Sequence, residues 1–121
     1  MATRATYQFK THNGTYTFYI HHDGYPEGAW EYFVGVKTPE DFIRKNERAR
    51  LTKSHDVHGD TEYRYTVQNG CIQVERREFD EFSNPSWETI YIATLEAFIE
   101  DYKEEQQRLW AEYEDTINSK V

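Results

Sequence analysis

The sequence predicts an α+β domain. An antiparallel sheet of two Asn-Gly hairpins, with a candidate fifth strand, packs against two short helices and one long acidic C-terminal helix. Three observations lead there. Alternating apolar and polar runs flank Asn13-Gly14 and Asn69-Gly70, the residue pair favoured in two-residue hairpin turns. Pro26 and Pro39 each open a segment with helix-start chemistry. An i, i+3, i+4 apolar stripe begins at Leu95 and resumes toward Ile117. The 121 residues suit a single domain over 1–121, and an aromatic content of 17% lets a modest apolar fraction of 37% build a core.

Thr6–Thr11 and Thr15–His21 read as the first hairpin. With Asn13-Gly14 at the turn, Phe9 faces Phe18 and Tyr7 faces Ile20, all four on one face. Gln8, Tyr19, Thr6 and His21 take the other. After a loop at Asp23–Tyr25, Pro26 suits the first helical position and Glu27 the positive end of the helix dipole. Trp30, Phe33 and Val34 mark one face of this helix, which Gly35 ends. Thr38-Pro39-Glu40-Asp41 starts the second, with Phe42 and Ile43 as anchors. Arg44, Lys45, Arg48 and Arg50 form the most basic stretch, but Glu40, Asp41 and Glu47 are interleaved, the pattern of a solvated helix face.

Lys53–Asp60 reads as a polar loop. Thr61–Gln68 and Cys71–Phe79 form the second hairpin around Asn69-Gly70. Its register pairs Val67 with Ile72 and Tyr65 with Val74, and sets Arg64 opposite Glu75 and Glu62 opposite Arg77. Asp80–Ser86 is a loop. Trp87–Ile92 reads as a fifth strand or the first turns of a helix, and its alternation, with Trp87, Thr89 and Tyr91 on one side, favours the strand. Thr94 caps a last helix from about Leu95 to Ile117, some 35 Å long at about 1.5 Å per residue. That exceeds what so small a core requires, so its far end is expected to project or to meet a partner or a second copy in a homodimer.

Formal charge is −8, from 14 basic and 22 acidic residues. Such a chain is not expected to bind nucleic acid directly, whose phosphates need Lys and Arg to neutralise them, but it suits a basic protein surface. Between Leu95 and Thr116 eight acids face two bases, a balance of −6. Cys71 is the one cysteine, which excludes an intrachain disulfide and fits a reducing compartment. The absence of a 20-residue apolar run or an apolar N-terminal stretch points to a cytoplasmic protein without a membrane span.

Thr3-Arg4, then a hairpin, then His21-His22-Asp23-Gly24-Tyr25-Pro26-Glu27-Gly28 resembles a family of small phage and prophage proteins of unknown activity. Their signature is Thr-Arg followed by His-x-Asp-Gly-Tyr-Pro-x-Gly. The resemblance covers about the first thirty residues and implies a phage setting in a host cell, not a reaction.

Four constellations carry candidate chemistry. His21, His55 and His58 would supply imidazoles to a metal if the two polar loops meet, although their spacing is not that of a zinc finger. His22, Asp23, Tyr25 and Glu27 could furnish an acid and a base, but no activated nucleophile accompanies them. Arg4, His22, Asp23, Gly24, Tyr25 and Gly28 could bind a nucleotide or another anion beside a helix start, Arg4 lying near Asp23 in the inferred register. Glu100, Asp101, Glu104, Glu105, Trp110, Glu112 and Tyr113 offer aromatic anchors among carboxylates. No cofactor is implied. The leading expectation is a non-enzymatic inhibitor of a basic host factor, such as a nucleic-acid-binding defence complex. The alternative is a ligand- or metal-binding domain, with or without hydrolytic activity, using His21–Gly28.

Overall fold

The computed structural model describes residues 3–57, 59–79, 81–82 and 84–118, with side chains through residue 114. The chain runs β1 (Ala5–Thr11), β2 (Gly14–Ile20), α1 (Pro26–Ala29), a 3-10 turn (Trp30–Phe33) and α2 (Pro39–Lys45). It continues through β3 (Arg50–Thr52), a second 3-10 turn (His55–Val57), β4 (Tyr63–Gln68), β5 (Cys71–Phe79), β6 (Pro85–Thr94) and α3 (Leu95–Asn118). Among the described residues the six strands form one sheet in the order β3-β2-β1-β4-β5-β6. The α+β class stands, but the sheet is mixed, because β1 and β4 lie side by side in parallel at its centre.

The parallel pair follows from β3. This short strand pairs with the outer side of β2. The chain must then recross β2 and β1 to reach β4, and parallel neighbours need such a crossover. Residues 53–57 and 59–62 run along the polar face, where His55 lies against Thr6 and Thr66. The helices cover the opposite face. The central strand is therefore sealed on both sides, with Ala5, Thr6 and Tyr7 all fully buried. Sequence alternation gave no sign of β3, whose Arg50 and Leu51 are exposed.

The two hairpins behave differently. Asn69 and Gly70 both adopt positive φ (53° and 75°), as a type I′ turn demands, and the expected register holds: Val67 with Ile72, Tyr65 with Val74. The first hairpin is shifted by two residues. Thr11 pairs with Gly14, Phe9 with Tyr16 and Tyr7 with Phe18, leaving His12 and Asn13 at the tip. The Thr11 hydroxyl stabilises this tip, accepting from the Asn13 N–H and donating to the Gly14 carbonyl. A two-residue shift preserves side-chain parity, so the apolar face survives.

Four expected side-chain placements are also corrected. The first helix lasts four residues before tightening into a 3-10 turn, and Val34 is exposed while Phe33 is buried. Thr38 caps α2 in a capping box with Asp41, but Ile43 is exposed, and of the two expected anchors Phe42 is the buried one. Arg64 does lie opposite Glu75 in the ladder, but its guanidinium pairs with Asp56 and stacks over Trp87. Arg77 likewise reaches the Gly59 carbonyl.

β6 is a strand, as expected, but longer, and a bulge interrupts its pairing: Glu75 faces Thr89, whereas Val74 faces Tyr91. The extra residue, Ile90, switches side-chain parity. Trp87 and Thr89 therefore lie on the polar face, and Tyr91 on the helical face. There Tyr91 packs on Phe98 and Tyr102, and its hydroxyl donates to Asp101 at 2.6 Å. Thr94 caps α3 by accepting from the Ala97 N–H.

The core is an aromatic cluster. Tyr7 and Tyr65 stack across the parallel pair, with ring centroids 4.8 Å apart and planes 6° from parallel. Phe33, Phe42 and Phe98 surround them. The Tyr65 hydroxyl donates to the Gly24 carbonyl, whereas the buried Tyr7 hydroxyl has no partner among the described residues. Tyr65→Phe is expected to destabilise by about 1–2 kcal/mol because it orphans a buried carbonyl. Tyr7→Phe is expected to be neutral or stabilising, and denaturant melts of the two variants check the contrast.

Candidate functional site

The signature stretch is first of all a scaffold. Asp23 takes a left-handed φ of 55° as the chain leaves the sheet. Gly24 then passes against β1, its N–H donating to the Thr3 carbonyl at 2.9 Å. A Cβ at Gly24 would sit 2.8 Å from the Ala5 Cβ and 2.9 Å from the Thr3 oxygen, so the backbones can approach only with glycine there. Pro26 begins α1, and Gly28 leaves room for the Tyr25 ring, which a Cβ there would meet at 3.2 Å. The Tyr25 hydroxyl lies 3.5 Å from Asp23 Oδ1. Partial burial, reinforced by Asp23, raises the phenol's pKa.

The two polar loops do meet, with Arg4 bridging His21 and Asp60. Arg4 lies opposite His21, and its backbone passes against Gly24, where a Cβ would sit 3.0 Å from the Arg4 carbonyl carbon. Its Nε is 3.0 Å from His21 Nδ1 and 3.2 Å from Asp60 Oδ2. The Tyr19 hydroxyl donates to the same carboxylate oxygen at 3.0 Å and lies 3.3 Å from His21 Nδ1. These four groups satisfy one another on the surface. His22 stands beside His21 with ring centroids 5.0 Å apart, and its carbonyl accepts from Tyr32. Asp60 belongs to the polar loop whose carboxylates and imidazoles were metal candidates, whereas Tyr19 was not singled out, because its contact with Asp60 depends on the unpredicted crossover.

His55 sits elsewhere, wedged between the Thr6 hydroxyl (2.6 Å from Nδ1) and the Thr66 hydroxyl (3.2 Å from Nε2). His58 lies outside the described residues. Among the described residues no group of three His, Cys, Asp or Glu side chains could hold a metal ion. Cys71 is exposed at the β4–β5 turn.

The tail surface is more open. α3 first packs on the sheet with Leu95, Phe98, Ile99 and Tyr102, then passes over α1 and the adjoining 3-10 turn. Beyond that point the described part of its apolar stripe is only partly covered. Leu109, Trp110 and Tyr113 are 43%, 59% and 58% exposed. With Tyr25, Glu27 and Gln106 they line a shallow cleft of about 340 Å³. The cleft thus joins the signature stretch to the far tail, two regions that read as rival sites in the sequence.

The tail acids divide. Asp101 accepts from Tyr91, and Glu105 and Glu112 both pair with Arg108. Arg108 holds the Glu105 carboxyl below its ordinary pKa. Glu100 and Glu104 are exposed and pair with no base among the described residues. No described helix is long and apolar enough to cross a membrane. Comparisons of the chain with protein-family models, curated proteins and solved structures found no match.

Burial, with the Arg64 charge adding to it, lowers the His55 pKa from 6.5 to about 4. Protonation thus favours the unfolded chain. The stability held by neutral His55 is complete above pH 6.5 and falls as the pH drops toward 4. With partial exposure allowed for, wild type is expected to lose about 1 kcal/mol more than His55→Gln between pH 7 and pH 5. Urea melts of both proteins at the two pH values measure that difference.

Proposed function

We propose that this chain is a non-enzymatic, phage-type binding protein that modulates or inhibits a host factor, and that the partner is a basic protein. The observation that carries the reading is the run of exposed apolar side chains at Leu109, Trp110 and Tyr113, on the half of α3 that the core does not use. Large aromatic residues anchor interfaces, and surrounding carboxylates steer a cationic partner toward them. Glu100 and Glu104 are free for that role, while Arg108 engages Glu105 and Glu112. The −8 charge favours the same kind of partner. The phage setting rests on the resemblance of Thr3-Arg4 and His21–Gly28, and the host cytoplasm follows from it.

Tagged protein passed over host lysate at low salt is expected to retain a basic protein that dissociates as salt is raised. Trp110→Ala and Tyr113→Ala each remove an anchor and are expected to weaken the complex at least tenfold without lowering the melting temperature. Glu100→Lys with Glu104→Lys is expected to slow association more than it speeds dissociation. Recovery of the bait alone, or undiminished capture by the aromatic variants, would overturn the reading.

A further inference from the structure

The cleft between α1 and the far half of α3 has a chemistry more specific than an apolar patch. Its lining includes three aromatic rings (Tyr25, Trp110 and Tyr113) and one carboxylate, Glu27. The Trp110 and Tyr113 rings are 5.8 Å apart and 87° from parallel, so they form two perpendicular walls. Tyr25, 39% exposed, presents a third ring from a different element. The absence of a Cβ at Gly28 leaves space for this ring, and the close approach of Gly24 to β1 fixes the turn before it. Gln106 adds a neutral polar group to the lining.

Aromatic faces carry negative quadrupolar charge, and rings meeting at right angles around a carboxylate attract an organic cation. The surroundings have the same sign, with Glu112 and Glu114 on the same exposed stretch of helix. Lys103 and Arg108 are the nearby α3 bases, and Arg108 is held by Glu105 and Glu112.

We propose that this cleft is an aromatic cage for a cationic side chain, an arginine or a lysine on an exposed segment of the basic partner. The inference rests on the protein-binding reading above and gives it a chemical address. The cation lies against the faces of Trp110 and Tyr113, with Glu27 as its counter-ion. Leu109 shields the contact from water. Tyr25 closes the side opposite the tail, so the site exists only while α1 and α3 stay together.

The test needs no identified partner. The full chain is titrated with a hexa-arginine peptide, a hexalysine peptide, a trimethyl-lysine analogue and a hexacitrulline peptide, while the Trp110 indole N–H is followed by NMR. The cationic peptides are expected to shift that resonance along a saturable curve, and the neutral citrulline isostere is expected to leave it in place. Glu27→Gln and Trp110→Ala are each expected to weaken arginine-peptide binding roughly fivefold to tenfold, with Glu100→Gln as the acidic control changing it less. Ranking of arginine, lysine and trimethyl-lysine identifies the preferred cation. Equal binding of the citrulline peptide, an unmoved Trp110 resonance, or Glu27→Gln behaving like Glu100→Gln would overturn the cage. A host protein still captured in a Trp110-dependent manner would then leave the broader binding reading standing.

Discussion

The Tyr7–Tyr65 stack is the contact on which the architecture turns. It joins β1 to β4, the one parallel junction in the sheet and the seam between the two hairpins. Each ring also meets the helical layer, Tyr7 through Phe42 and Tyr65 through Phe98. The Tyr65 hydroxyl fastens Gly24, and with it the turn that leads into α1. Sheet, short helices and tail helix are thus registered against two phenol rings. Large rings suit such a seam because each buries extensive area in few rotamers.

The polar face solves a different problem. A crossover laid over a sheet must satisfy the polar groups it covers. Here side chains do so: His55 bridges Thr6 and Thr66, Gln8 donates to Thr17, and Arg64 pairs with Asp56 above the Trp87 ring. Arg4, Tyr19, His21 and Asp60 close the far end of the same strap. Arg4 and His21, candidate ligand-binding and metal-binding residues in the sequence, thus take part in a structural fastening with Tyr19 and Asp60.

Much of the fold was legible where local chemistry and packing agreed. Asn69-Gly70 could be placed because turn, apolar pairing and ladder register all pointed to one alignment, and Thr38-Pro39 because capping box and proline coincide. Asn13-Gly14 carried the same dipeptide but misled, since a two-residue shift costs no parity and Thr11 rewards the alternative tip. The parallel seam was hidden because strand order depends on β3, three residues with no apolar alternation. The bulge at Ile90 was hidden for a related reason: one inserted residue makes alternation across it misleading. Of the candidate site, the anchors Trp110 and Tyr113 were visible in the helical stripe. Their meeting with Tyr25 and Glu27 was not, because it joins segments more than eighty positions apart in the chain.

The inserted residue in β6 has a mechanical consequence. By turning Tyr91 onto the helical side, it lets one hydroxyl grip Asp101 and two ring contacts clamp the root of the tail. Trp110 stands fifteen positions beyond Leu95, roughly 22 Å along the helix axis. A ten-degree swing at the root would carry it roughly 4 Å away from Tyr25. The aim of the distant aromatic walls is thus inherited from a corner of the sheet that never touches them, and angular stiffness there sets how ready the cleft is before anything arrives.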